Sequence, residues 1–288
     1  MDQSANIPQI FDYARRRIAR DRAFKRTIGS DNKPSFLLEL MANEIADRLT
    51  MVRRNFTNAL LLGAGCAPLA EALRQEGIIC TLADPGAAFA AHMAGETVDE
   101  DLLPFAPASF DLAISVGLFD SCNDLPGALV QIRRALRPDG LFLAAMIGGD
   151  SLMQLRGILR GADGEYPVAR IHPRVDVRTI GDLLQRTGFA LPVVDSDRIN
   201  LRYNSLSNLV ADIRDFGGSN ILSDRPAHMS RAQFTNARLA FDDARGEDGK
   251  VAEIVEVIYL CGWAPHPDQP KPAVRGSASQ SLAAALKQ

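Results

Sequence analysis

The sequence predicts a doubly wound α/β fold with a mostly parallel sheet. Between residues 59 and 147, four short apolar runs have the length of buried strands, and stretches with helical spacing lie between them. Gly63-Ala64-Gly65 directly follows the first run. Continuous apolar strands that alternate with helices indicate a parallel sheet, because both faces of such strands are covered by helices.

The predicted elements continue on both sides of this region. Strands are predicted at residues 59–62, 78–83, 110–116 and 141–147, with an extended stretch at 190–201 and a late strand at 254–263. Helices are predicted at 11–26, 34–50, 69–75, 125–136, 151–160, 177–187, 206–216 and 231–244. We therefore expect an N-terminal helical segment (1–50), a main domain (51–264) with helical insertions around 151–187 and 205–245, and an extended tail (265–288).

Composition narrows the class of protein. Apolar residues make up 47% of the chain and charged residues 23%, as in ordinary globular proteins. The formal net charge of −3 argues against a nucleic-acid partner, which needs a concentrated basic surface. The four cysteines form no CxxC pair. No apolar run approaches the ~18 residues that cross a bilayer, and the first residues do not resemble a secretory signal. We expect a cytoplasmic protein.

The helix predicted at 11–26 carries seven Arg or Lys residues and two Asp residues. In one interpretation its charged face is simply solvated. In another it docks on an anionic surface, as a peripheral membrane contact or a partner site. By analogy with other proteins of this fold class, the helix is also a candidate lid over the ligand site.

The first candidate site lies at the carboxyl end of the sheet, where open α/β folds bind ligands. Gly63 and Gly65 permit a tight turn and a close approach of the backbone to a ligand. Asp84 ends the second predicted strand, about 20 residues further on, and a carboxylate there can accept hydrogen bonds from ribose hydroxyls. The spacing therefore predicts a nucleotide-like ligand.

Two further segments complete a known pattern: DEDLLPF (99–105), followed by SFDLAIS, and LPGALVQIRRALRPDG (125–140). Together with the glycine turn and Asp84 they resemble class I S-adenosylmethionine (SAM)-dependent methyltransferases, which have a seven-stranded, Rossmann-like sheet. The resemblance implies SAM as the cofactor, with Asp99 beside the adenine. The residues expected at the cofactor are Gly63, Ala64, Gly65, Asp84, Pro85, Asp99 and Ser115.

Longer segments resemble one family within this class. They are MIGGDSLMQLR (146–156), IHPRVDVRTIGDLLQRTGF (171–189), VDSDRINLRYNSLSNLVADIRDFGGSN (194–220) and PKPAVRGSASQSL (270–282). These segments are similar to the arginine-hydroxylase family known as complex I assembly factor 5, and the resemblance spans nearly the whole chain. It implies a methyltransferase-like modifier of a protein side chain, an arginine, on a subunit of respiratory complex I.

Four residues depart from these patterns. Leu61 stands where the cofactor loop usually has an acid, Ala67 replaces the third glycine, and Asp120-Ser121 replaces a His-Trp pair. These departures support an alternative, a non-catalytic assembly protein with a degenerate SAM site. Another alternative is a SAM-dependent O-methyltransferase that acts on a carrier-bound or small acid.

Asp150 is the candidate catalytic residue. It follows Gly148-Gly149 at the end of the strand predicted at 141–147, and a carboxylate matches the donor fork of a guanidinium group. The other interpretation is that Asp150 caps a helix starting at Ser151. The histidines at 92, 172, 228 and 266 show no metal-ligand spacing, so no metal is predicted.

Overall fold

The computed structural model describes residues 8–31, 33–224 and 226–269. The strands in these residues are β1 (Asn58–Leu62), β2 (Ile79–Asp84), β3 (Glu96–Thr97), β4 (Phe110–Val116), β5 (Leu136–Ile147), β6 (Ala190–Tyr203) and β7 (Val251–Trp263). They form one sheet in the order β3-β2-β1-β4-β5-β7-β6. β1 to β5 pair in parallel, whereas β7 is antiparallel to both β5 and β6. The predicted seven-stranded, mostly parallel sheet is confirmed.

Helices precede the sheet and connect its strands. They are α1 (Tyr13–Arg26), α2 (Ile28–Asp31), α3 (Phe36–Thr50), α4 (Ala67–Gln75), α5 (Ala87–His92), α6 (Leu125–Ala135), α7 (Met153–Asp163), α8 (Val177–Arg186), α9 (Leu206–Phe216) and α10 (Arg231–Asp243). Short 3-10 turns follow β1 at Ala64–Cys66 and β4 at Phe119–Ser121. In the described part of the chain, no helix has the length and apolar character needed to cross a membrane.

The core lies on both faces of the sheet. Leu61 of β1 belongs to the layer that includes α3 and α4, whereas Leu60 and Leu62 belong to the layer that includes α6 and α8. This alternation follows from the pleat, which directs successive side chains to opposite faces. Met41 and Ile45 of α3 are fully buried against the first layer. Each such side chain stabilises the fold by roughly 1.5–3 kcal/mol relative to an exposed position.

The strand order places a crevice beside β1. The chain runs from β1 to β2 on one side, and β4 later pairs with the other side of β1, so that the connections leave in opposite directions. In open α/β sheets ligands bind at such a reversal, outside the carboxyl ends of the strands. Gly63, Asp84 and Gly117 all stand at this edge.

The structure differs from the predicted elements in a few places. α5 and β3 are absent from the predicted elements, because six residues of helix or two residues of strand show no periodicity. Residues 137–140, which lie between the predicted helix 125–136 and the predicted strand 141–147, belong to β5, where Asp139 has a φ of 64° and the pairing with β4 is irregular. Most of the predicted tail lies outside the described residues, which end at residue 269.

Candidate functional site at the carboxyl edge of the sheet

The glycine turn closes against the end of β4. Gly63 has a φ of 99°, which favours glycine, and its N–H donates to the carbonyl of Ala83 at 2.8 Å. A Cβ atom at Gly63 would lie 2.4 Å from the carbonyl oxygen of Val116, and one at Gly65 would lie 2.5 Å from Cγ1 of Val116. The two glycines therefore let the turn pack on β4, and the space that they leave is filled by protein atoms.

A pair of alanine substitutions measures this packing. Gly77 also has a positive φ, but nothing lies within 4 Å of a Cβ atom built there, so Gly77→Ala reports backbone strain alone. Because Gly63→Ala adds a clash, we expect it to lower the free energy of unfolding by about 2 kcal/mol more than Gly77→Ala. Urea unfolding followed by circular dichroism measures both. Equal losses would contradict close packing of the turn on Val116.

Asp84 is 1% exposed, and its carboxylate accepts four hydrogen bonds. The backbone N–H of Ala64 donates to Oδ2 at 2.9 Å, and that of Gly86 donates to Oδ1 at 2.7 Å. The guanidinium of Arg20 forks onto both oxygens, with Nε donating to Oδ1 at 2.7 Å. Since a carboxylate offers about four acceptor positions, Asp84 has none left for a ribose.

α1 lies across this edge of the sheet and contacts it through three arginines. Each pairs with a carboxylate: Arg16 with Glu100, Arg17 with Asp99 and Arg20 with Asp84. Arg16 and Arg20 are 2% and 4% exposed, so the interpretation of this helix as a simply solvated face is wrong on this side. The helix covers the predicted site, as the lid analogy expects.

The predicted cofactor residues come together around this contact. Those at the carboxyl ends of β1, β2 and β4 are Gly63, Ala64, Gly65, Asp84, Pro85 and Ser115, and Asp99 follows β3. Arg16, Arg20 and Glu100 are not among the site residues predicted from the sequence. Their spacing along the chain carried no signal, because each ion pair joins residues more than 60 positions apart.

The end of β4 also brings together buried polar groups that lack hydrogen-bond partners among the described residues. Ser115 is fully buried with an unpartnered Oγ, and Asp120 is 8% exposed with an unpartnered Oδ1. Burial raises the pKa of Asp120, and the charge of Arg174 opposes that shift. Arg174 has unpartnered Nε and Nη1 atoms, and burial lowers its pKa. The sequence marks Asp120 only as a departure from the His-Trp pair of the family pattern. In the structure it lies in the field of the Arg174 charge, which the sequence does not indicate.

Asp150 lies apart from this cluster. Its side chain is 60% exposed and forms an ion pair with Arg198, a kind of pair that stabilises proteins little. α7 begins at Met153, after Leu152 with a φ of 60°, and no side chain caps it. The capping interpretation is wrong because residues 151 and 152 separate Asp150 from the helix.

The space beside the glycine turn is small. A cavity of about 90 Å³ is lined in part by Ala64, Gly65, Ala67 and Phe89. Pockets that enclose a drug-sized or cofactor-sized ligand measure about 300–1,000 Å³. With Arg20 also occupying the acceptors of Asp84, the residues in this arrangement do not accommodate SAM.

Cysteine and metal chemistry find no support at this edge. The Cys66 thiol is buried, donates to the carbonyl of Leu62 at 3.3 Å, and has its pKa raised by burial, so it stays protonated and is a poor nucleophile. Within the described ranges, His, Cys, Asp and Glu side chains form no group of three or more that could hold a metal ion.

Comparison with known proteins agrees with the fold. A family model described as a methyltransferase domain matches residues 21–192. The sequence is 34% identical over 286 residues to the mitochondrial arginine-hydroxylase NDUFAF5 of Danio rerio, covering 95% of this chain and 88% of the relative. It is 31% identical over 227 residues to malonyl-[acyl-carrier protein] O-methyltransferase 1 of Coxiella burnetii, covering 76% of this chain and 78% of that protein.

Solved structures show the same architecture. The YcgJ protein of Bacillus subtilis matches with a TM-score of 0.51 at 15% identity, covering 78% of this chain and 99% of that one. A phosphoethanolamine N-methyltransferase of Haemonchus contortus, in complex with S-adenosylhomocysteine, matches with a TM-score of 0.50 at 15% identity, covering 85% of this chain and 57% of that one. Strand order and these likenesses define the fold of class I SAM-dependent methyltransferases. Within that class, the chain belongs to the methyltransferase-domain family of the NDUFAF5 arginine hydroxylases.

Proposed function

We propose that this protein modifies an arginine side chain of a protein during assembly of respiratory complex I. The observation that carries the proposal is the cluster of Asp84, Asp99 and Glu100 under α1, each of which already holds a guanidinium group. Where SAM takes Asp84 and Asp99, Glu100 is the carboxylate of this cluster that remains for a substrate arginine. A carboxylate matches the donor fork of arginine, so this edge has the chemistry to bind another arginine when α1 moves. Similarity to an arginine hydroxylase along 95% of the chain supports the same substrate class. We expect this to take place in the cytoplasm.

The proposal includes SAM as a cofactor that binds once α1 has moved. The fold supports SAM binding in general, since the Haemonchus enzyme of the same fold holds S-adenosylhomocysteine. Without Arg20, two acceptor positions on Asp84 would be free for ribose hydroxyls. Asp99 would face the adenine, and the backbone of Gly63 and Gly65 would border the ligand.

Calorimetric titration with SAM tests the cofactor. We expect weak binding to the unmodified protein and about tenfold tighter binding to Arg20→Met, because the competing guanidinium is gone. Arg202→Met removes an exposed arginine that pairs with Asp248 and serves as the matched control, with binding expected to stay weak. Absence of heat from all three folded proteins at high micromolar SAM would contradict the cofactor proposal.

Mass spectrometry of complex I subunits tests the modification itself. We expect one arginine to lose its added mass when the gene is deleted and to regain it when the gene is restored. A gain of one oxygen atom indicates hydroxylation, and a gain of one methylene indicates methyl transfer. Glu100→Gln should reduce the modification, whereas Glu71→Gln, an exposed position on α4, should not. An arginine left unmodified in the unmutated strain contradicts the proposal, and normal assembly of complex I in that strain would instead favour the non-catalytic assembly protein.

Arg174 supports a second candidate function. Arg174, whose Nε and Nη1 are unpartnered, lines a small cavity at the carboxyl end of β5 together with Ile147 and Tyr203. A carboxylate is the natural partner of such a guanidinium, and the Coxiella relative is named for a malonyl substrate. An O-methyltransferase of this kind would transfer a labelled methyl group from SAM to a carrier-bound or small acid. The first proposal does not predict label on such an acid.

A further inference from the structure

A basic groove runs along the exposed side of α1. It consists of two adjoining cavities of about 750 and 320 Å³, which share Leu159 and Arg170. Its Arg and Lys residues come from α1, α7, α9 and the segment before α8: they are Arg22, Lys25, Arg26, Arg156, Arg160, Arg170 and Arg214. Among the described residues that line it, none is Asp or Glu.

Much of the positive charge in the basic groove is uncompensated. Asp163 neutralises Arg170, and Asp215 neutralises Arg26. In the described chain the following cations have no carboxylate within ion-pair distance: Arg22, Lys25, Arg160 and Arg214. The whole chain has a net charge of −3, so this clustering is local. Because like charges repel, such a cluster indicates a ligand of opposite charge.

The shape and lining of the basic groove favour an acidic stretch of polypeptide. The groove is concave, whereas a membrane surface would need the cations on a flat or protruding face. Among the described lining residues there is no Phe, Tyr or Trp, the side chains on which bases of single-stranded nucleic acid usually stack, and His228 supplies the one aromatic ring. Leu159 and Met229 add apolar surface for aliphatic parts of a peptide.

We propose that the basic groove binds an acidic segment of the protein partner. The inference rests on the proposed function for one point, that the partner is a protein. Binding in the groove itself requires neither SAM nor modification of an arginine. α1 forms one wall of the groove with Arg22 and Lys25, and contacts the acidic cluster with Arg20. A partner held here would therefore lie next to the site proposed for its arginine.

Fluorescence anisotropy with a labelled peptide of alternating Glu and Asp tests the groove on the full chain. We expect binding that weakens with added salt. The charge-reversal variant, Arg22→Glu with Lys25→Glu and Arg214→Glu, should bind at least about tenfold more weakly. The matched control makes the same charge change at exposed positions elsewhere, with Arg74→Glu, Arg178→Glu and Arg186→Glu. It should stay within about twofold of the unmodified protein.

Several outcomes would overturn the proposal. Equal weakening in both triple variants would mean that net charge alone attracts the peptide. Tighter binding of an oligonucleotide of matched charge, or of phosphatidylglycerol vesicles, would assign the groove to nucleic acid or to a membrane instead. Circular dichroism checks that both variants are folded. Because the readout is binding alone, a failure to modify arginine leaves the result on the groove intact, and the reverse also holds.

Discussion

Arg20→Met and Asp84→Asn are each expected to lower the free energy of unfolding by about 3–5 kcal/mol. The two side chains are 5% and 0% exposed, so each single substitution leaves its partner buried without the matching charge. The Arg20 variant should lie at the lower end, because the N–H groups of Ala64 and Gly86 still donate to Asp84. Urea unfolding of both variants measures the loss.

The double variant separates the ion pair from general damage to the core. Replacing both partners should cost less than the sum of the single losses by about 2 kcal/mol, since no unpaired charge remains buried. Arg202 and Asp248 form an exposed ion pair that serves as the control, with side chains 49% and 43% exposed. The corresponding single and double variants there should give a coupling energy below about 1 kcal/mol. Equal coupling in the two cycles would show that burial does not strengthen the contact of α1.

Acid is expected to destabilise the protein through His172. The imidazole is 4% exposed, and its Nε2 accepts the N–H of Ile221 at 3.0 Å, which only the neutral ring can do. Burial, together with the charge of Arg174, lowers the pKa of His172 from 6.5 to about 4. The unfolded chain binds the proton at a higher pH than the native protein does. The free energy of unfolding should therefore fall between about pH 6.5 and 4, by about 3 kcal/mol in total.

Comparison of variants isolates this effect from the carboxylates that titrate in the same range. His172→Gln keeps an oxygen that can accept from Ile221 but cannot titrate, so its stability should depend less on pH. His92→Gln, at an exposed position, should behave as the unmodified protein. Urea unfolding from about pH 7 to about pH 4.5 measures the three proteins. Parallel curves for the unmodified protein and His172→Gln would contradict the assignment.

The sheet could be predicted because its strands carry local signals. β1 and β4 are continuous apolar runs, and the turn at Gly63 marks where the first of them ends. α5 and β3 could not be predicted, since six and two residues are too few to show a period. The interpretation of Asp150 as a helix cap is wrong for a related reason. It assumes that the helix starts where the helical spacing of apolar residues starts, whereas Leu152 adopts a left-handed conformation and α7 begins after it.

The candidate site was predictable in its positions but not in its contacts. Spacing along the chain marks Gly63 and Asp84, because a strand, a turn and a second strand place them at one edge. Spacing cannot tell that Arg20, 64 residues earlier, donates to Asp84. The pattern of charges along α1 is the same whether its arginines face water or buried carboxylates. The burial of His172 and Arg174 likewise has no local signal in the sequence, since it depends on how distant segments fold together.

Under the proposed function, the Arg20–Asp84 contact would also lower the affinity for SAM, because only molecules in which α1 has moved could bind it. If moving α1 costs about 3 kcal/mol, roughly one molecule in 160 is open at any moment, and the dissociation constant measured for SAM exceeds that of the open form by the same factor. Abundant cofactor would then be insufficient by itself. Any partner that prefers the open form would raise the affinity for SAM, and SAM would tighten the hold on that partner by an equal factor, because the coupling is reciprocal.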